Sequence, residues 1–225
     1  MAAALCALLF AVLAAVVAAR NGAPYPLDES VHRWSVRHRP AVAVALARAV
    51  TATGSGPVPY VCAITAGLLA GRGRDGRGRL RTAAGALGFL LLAQGVRYAV
   101  MYALARPRPP VADWAAPASG SAFPSGHATT AALAAGLLAW AVGRAAAPAT
   151  ARLCRFLLAC WAALVGLTRV HLGMHWPTDV LAGWLYALTW LTAAMAVYTV
   201  AYGVRCPGRP PDEDQCGEHG TRRPG

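Results

Sequence analysis

An arginine, two histidines and an aspartate fall within twelve residues, Thr168-Arg169-Val170-His171-Leu172-Gly173-Met174-His175-Trp176-Pro177-Thr178-Asp179, between two long apolar runs. Ionisable groups beside hydrocarbon-length segments are costly to keep there, which marks them first as a functional site. Pro177 suits the first position of a helix that continues through Val180 to Leu185 and sets Asp179 one turn from His175. A carboxylate at that spacing can hold one imidazole nitrogen, fix the tautomer and leave the other nitrogen free to attack an electrophile. The same spacing also suits a simple capping or helix-surface pair, so it does not decide the chemistry alone.

Two further clusters carry complementary groups. In Arg106-Pro107-Arg108-Pro109 the alternating prolines keep the backbone extended and present the guanidinium groups rather than folding them into a helix. In Phe123-Pro124-Ser125-Gly126-His127, Ser125 is a natural N-cap, and Gly126 lets an anion approach the backbone N–H groups at a positive helix end. Taken singly, the first is also a stiff interfacial turn and the second a plain cap. Together with Arg169 they offer guanidinium forks and helix-terminal donors for a phosphoryl group, with two histidines beside it.

The elements that must position these residues are membrane helices. The chain has 225 residues, 57% hydrophobic and only 13% charged, which argues for a polytopic membrane protein. All 21 basic residues are arginine, in an alanine-rich chain, a bias that reads as GC-rich, bacterial coding. The net charge of +12 resides mainly in loops between apolar runs, where it anchors the protein at lipid head groups rather than on nucleic acid. Six scattered cysteines show no Cys-x-x-Cys or Cys/His spacing, so no zinc site is expected. Cys206 and Cys216 share a polar tail where they could pair.

The expected fold is all-α, a bundle of about six transmembrane helices. Ala2 to Ala19 reads as a retained first span rather than a signal peptide, because no basic residue precedes it. Pro24 to Arg48 reads as an interfacial helix bent at Pro40. Further spans are expected at about Val58–Ala70 (beginning earlier and tilted), Thr82–Leu104, Ser125–Val142, Phe156–Thr168 and Pro177–Tyr202, with Arg144 to Arg155 a basic loop. A membrane domain over 1–204 then precedes a disordered cytoplasmic tail, 205–225, of Pro, Gly and charge. Traced through these spans, all three clusters emerge at one surface. The loops at 71–81 and 144–155 and the tail hold five, three and four arginines, which by the positive-inside rule puts them in the cytoplasm and the clusters outside.

The order and spacing of the clusters resemble the three signature motifs of the type 2 phosphatidic acid phosphatase family, which also includes vanadium-dependent haloperoxidases. The second motif, Pro-Ser-Gly-His, is matched by Pro124 to His127. The third, Ser-Arg, five residues, His, three residues, Asp, is matched by Thr168-Arg169, His175 and Asp179, with Thr for Ser. The first, Lys, six residues, Arg-Pro, ends in Arg108-Pro109, but Met101 stands at the lysine position. Arg97, one helical turn back, and Arg106 are the available substitutes. The resemblance spans about residues 25 to 200. It implies an enzyme of the cell membrane that hydrolyses a lipid phosphate monoester or diphosphate without metal or other cofactor. In that reading His175 is the nucleophile, Asp179 its support and His127 the acid and base. Arg108, Arg169, Ser125 and Gly126 bind phosphate, and His171 is a bystander. Phosphatidic acid, an isoprenoid diphosphate such as undecaprenyl diphosphate, and phosphatidylglycerophosphate all fit as substrates. A catalytically inactive lipid-phosphate binder or transporter is the alternative that Met101 invites, and a vanadate-dependent haloperoxidase the other.

Overall fold

Alanine, leucine and valine dominate the first residues, and with nothing there to break a helix they form α1 (Ala2–Ala19). The computed structural model describes residues 1–202, so the tail expected to be disordered and its two cysteines lie outside the described residues. Only Val17 of α1 is buried; most of its large side chains face outward, as on a helix solvated by lipid.

Helix α2 (Pro26–Arg37) starts on a proline, and Asp28 turns back to accept a hydrogen bond from the Tyr25 backbone N–H at 3.2 Å. Its buried positions are polar. Asp28, His32 and Ser35 are buried, whereas Leu27 and Trp34 are exposed. The buried polar face packs on the rest of the protein, while Glu29, Arg33 and Arg37 stay exposed beside Leu27 and Trp34. Pro40 separates α2 from α3 (Ala41–Ala52), and the Thr53–Pro57 breaker separates α3 from α4 (Val58–Ala70).

Helix α4 covers the residues expected for the second span, Val58–Ala70, without the earlier start. Thirteen helical residues reach only about 20 Å, short of the roughly 30 Å hydrocarbon core. The preceding apolar residues do not extend α4 but fold as a separate helix. Among the described residues, five helices are long and apolar enough to cross a membrane, namely α1, α5 (Gly76–Leu104), α6 (Gly126–Ala145), α7 (Pro148–His171) and α8 (Pro177–Tyr202). No strand occurs among these residues.

A second correction concerns Arg144 to Arg155. That stretch is not a loop, since α7 already begins at Pro148 and carries Arg152 and Arg155 in its opening turns. Proline at the first helical position starts the helix, and long arginine stems let the charges reach the interface from within it.

Helix α6 is the centre of the bundle, packed against α4, α5, α7 and α8. Five of its eight buried residues are alanine, Ala128, Ala131, Ala134, Ala135 and Ala141, small residues that let neighbouring backbones approach. Close approach is tightest where Gly67 of α4 lies against the backbone of Ala83 in α5, leaving no room for a Cβ. The antiparallel run of helices brings the end of α5, the start of α6, the end of α7 and the start of α8 to one end of the bundle.

Candidate active site

At that end Arg97, Arg108, Gly126, His127, Arg169 and His175 line one cavity of about 540 Å³. Each arrives on a different piece of regular structure. Arg97 comes from the penultimate turns of α5, and Arg108 from the extended segment after Ala105, whose left-handed φ of 44° ends that helix. Gly126 and His127 open α6, Arg169 closes α7, and His175 sits in the turn before α8. Gly173, at φ 80°, makes that turn possible; a Cβ there would run into the Asp113 carbonyl oxygen.

Hydrogen bonds fix the state of His175. Arg108 Nη1 lies 2.8 Å from His175 Nε2. A guanidinium only donates, so Nε2 is the unprotonated nitrogen and the ring proton sits on Nδ1. Nδ1 faces Asp179 Oδ2 at 3.4 Å, and the same oxygen accepts the Trp176 backbone N–H at 2.9 Å. Burial, and then the charges of Arg108 and Arg169, hold the His175 pKa well below its ordinary 6.5. The neutral ring with a lone pair on Nε2 is therefore the resting form.

This state has a pH signature. Below about pH 6.5 the unfolded ring takes up a proton that the folded ring refuses, so the His175 contribution to stability declines as pH falls through that range. In ¹⁵N-histidine NMR of the protein in detergent, the resonance missing from His175→Asn should keep its neutral shift at pH 6. A midpoint near 6.5 would contradict the geometry.

The cavity is cationic with no acid to balance it. Arg97, Arg108 and Arg169 form no ion pair with any described residue, and no aspartate or glutamate lines the space. Arg97 is buried under its neighbours, with Nε donating to Gln94 Oε1 at 3.2 Å and the guanidinium 4.0 Å from the Tyr98 ring centre. Arg169 donates to Thr51 Oγ1 at 3.2 Å, while its buried Nε has no partner. Arg108 is steered by the carbonyls of Ser119, Gly120 and Met174, at 2.8 to 2.9 Å. Burial lowers its pKa, opposed by Asp179 and reinforced by Arg97. Two buried guanidinium groups and a half-buried one around one space make a cationic lining suited to an anion. His127 lines the same cavity, and no described residue holds either of its ring nitrogens.

Two of the residues expected to bind phosphate lie elsewhere. Ser125 is fully buried, its side chain makes no capping bond, and its backbone N–H donates to the Asp179 carbonyl at 3.0 Å. That bond ties α6 to α8 and takes the backbone N–H away from a ligand, while the buried hydroxyl has no partner. Arg106 is also fully buried, with its Nη2 donating to Asp28 Oδ2 at 2.9 Å and its Nη1 to Asp179 Oδ1 at 2.6 Å. Further bonds to Thr178 Oγ1 and the Gly22 carbonyl occupy it inside the protein. Of the two substitutes for the absent lysine, only Arg97 reaches the cavity. Its Nη1 is 3.8 Å from the sulfur of Met101, the residue at the lysine position. His171 stays outside the cavity lining.

Asp28 is the residue that sequence reasoning missed. From α2 it accepts bonds from the Thr178 N–H and hydroxyl at 3.0 and 2.8 Å, capping α8 from another helix, besides its bond from Arg106. A buried chain Asp28–Arg106–Asp179–His175 results.

The structure is similar to a solved structure described as the first transmembrane PAP2-type phosphatidylglycerolphosphate phosphatase from Bacillus subtilis. The TM-score is 0.72 at 22% identity, over 91% of this chain and 99% of that one, a likeness of fold. No curated protein matches the chain. The sequence profile of the PAP2 superfamily matches residues 82–202, a stretch that includes all three motif clusters and just over half of the chain, and this multi-pass membrane protein therefore belongs to the PAP2 superfamily.

Proposed function

We propose that the protein is a metal-independent membrane phosphatase that hydrolyses a lipid phosphate monoester or diphosphate through a phosphohistidine. One observation carries this reading. A neutral imidazole presents Nε2 in a cavity whose only charged groups are three unpaired guanidinium ions. Such a cavity takes a phosphoryl dianion and offers no carboxylate oxygens of the kind that hold a divalent cation.

In the reaction, Arg97, Arg108, Arg169 and the Gly126 N–H gather the phosphoryl oxygens, and Arg108 shifts from Nε2 onto the substrate. The Nε2 lone pair attacks phosphorus in line. The P–O ester bond breaks, and its electrons leave on the lipid oxygen, which takes a proton from His127. Asp179 stabilises the positive ring from the Nδ1 side. Water then attacks phosphorus, giving a proton to His127 as the P–N bond breaks and restores His175. The positive-inside distribution supports a cavity facing the extracytoplasmic side of the cell membrane. Phosphatidylglycerophosphate, phosphatidic acid and an isoprenoid diphosphate are the substrate classes, the first also named in the description of the similar fold.

Phosphate release from a panel of these lipids in detergent, with a chelator present, tests the reading. Release from at least one of them is expected, and binding without release from any would favour the inactive-binder alternative. Arg97→Ala should raise KM about tenfold or more, as loss of one charged hydrogen-bonding group does, with Arg97→Lys recovering part of it. An unchanged KM would return the missing lysine's role to some other group. Bromide oxidation on adding vanadate would instead indicate a haloperoxidase.

A further inference from the structure

A second cavity, also of about 540 Å³, lies at the opposite end of the bundle, in a groove between α5, α6 and α8. Its depth is apolar, formed by Ala86, Phe89, Leu137, Leu191 and Met195, while Arg74, Arg81 and Arg144 stand at its mouth. All three arginines are exposed and none forms an ion pair with a described residue. No carboxylate lines the groove. Arg144 lies over the rings of Trp140 and Tyr198, at 5.7 and 5.5 Å from their centres, which places its charge beside two aromatic residues of the kind that settle at the head-group level.

From this division of polarity we propose that the groove is a binding site for an anionic phospholipid of the bilayer. One acyl chain lies between α5 and α8, and the phosphodiester rests against the three arginines. An apolar slot alone would accept any lipid. Three cations without a counter-charge select a negative head group, and basic pockets between transmembrane helices at the arginine-rich side are where such recognition occurs. The site is independent of the reaction proposed above. It touches the far ends of the helices that carry Arg97, His127 and Asp179, so its occupant would pin three of the elements that build the catalytic cavity.

Native mass spectrometry of the detergent-solubilised full chain can test this with phosphatidylglycerol and phosphatidylcholine of identical acyl chains. Retention of phosphatidylglycerol should exceed that of phosphatidylcholine by about tenfold or more. The triple variant R74A/R81A/R144A should lose that preference. Gly85→Leu should lower retention of the anionic lipid while leaving the fold intact, because Gly85 lines the groove and a Cβ there meets nothing within 4 Å. Equal retention of both lipids by the unaltered chain would mean non-selective annular lipid and overturn the proposal. So would a preference that survives the triple variant but disappears with Arg108→Ala, since the lipid would then occupy the catalytic cavity.

Discussion

His175→Asn is expected to lower lipid phosphatase turnover by on the order of 10⁴-fold or more, with no matching loss of stability. Asparagine keeps a polar group in the buried turn and can still face Asp179, but it has no lone pair able to form a phosphoryl–enzyme bond. His127→Asn should behave differently. The nucleophile remains, but both proton transfers lose their carrier, each worth roughly 10²–10⁴-fold. With an aryl phosphate, whose leaving group needs no proton, the first step should survive and the second should not. Phosphoenzyme should then accumulate in His127→Asn and be absent from His175→Asn, detected as acid-labile, base-stable protein-bound phosphate. Turnover in His175→Asn near the unaltered rate would remove the nucleophile from the scheme. A phosphoenzyme that still formed in His175→Asn would assign the attack to another residue.

The residues proposed for that chemistry are legible in the sequence because local pattern governs where they meet. Pro177 starts a helix wherever such a chain folds, so the one-turn spacing of His175 and Asp179 survives into three dimensions. The membrane imposes an even simpler rule, in which each hydrophobic crossing reverses the chain and returns Arg108, His127 and Arg169 to one face. Local pattern failed where polarity meant something other than exposure. Asp28 sits among charged residues on an amphipathic helix and reads as solvent-facing, yet it is fully buried. Glu29, Arg33 and Arg37 of the same helix stay exposed, so nothing local separates Asp28 from them. Arg106 and Arg108 are equally exposed to inspection in an Arg-Pro-Arg-Pro run. Which of them enters the cavity depends on Asp28, 78 residues away in the chain, a pairing no spacing rule contains. The early start expected for the second span and the loop expected at 144–155 fail for a related reason. Arginine density reads as loop and apolar length as span, whereas Pro40, Thr53–Pro57 and Pro148 set the boundaries.

Arg106→Met should destabilise the folded protein by about 3–5 kcal/mol, the usual cost of removing one partner from a buried ion network. Arg106 answers two carboxylates at once, Asp28 and Asp179, and both are fully excluded from solvent. Methionine fills much of the arginine stem's volume, so the expected loss is electrostatic rather than a cavity. It follows that Arg106→Met combined with Asp28→Asn should be more stable than Arg106→Met alone, because one of the two stranded charges is gone. Melting temperatures in detergent supply the comparison, and a double variant that loses the sum of the two single effects would show the groups to be uncoupled. The chain also reaches the reaction. Asp28→Asn alone removes the charge that balances Arg106 and leaves that guanidinium bearing on Asp179 alone, weakening the carboxylate as support for a positive His175 ring. Its turnover should fall while KM holds, because Asp28 lies outside the cavity and touches no phosphate ligand. A purely structural Asp28 would lower the fraction of folded protein and leave turnover per folded molecule unchanged, so activity normalised to folded protein separates the two roles.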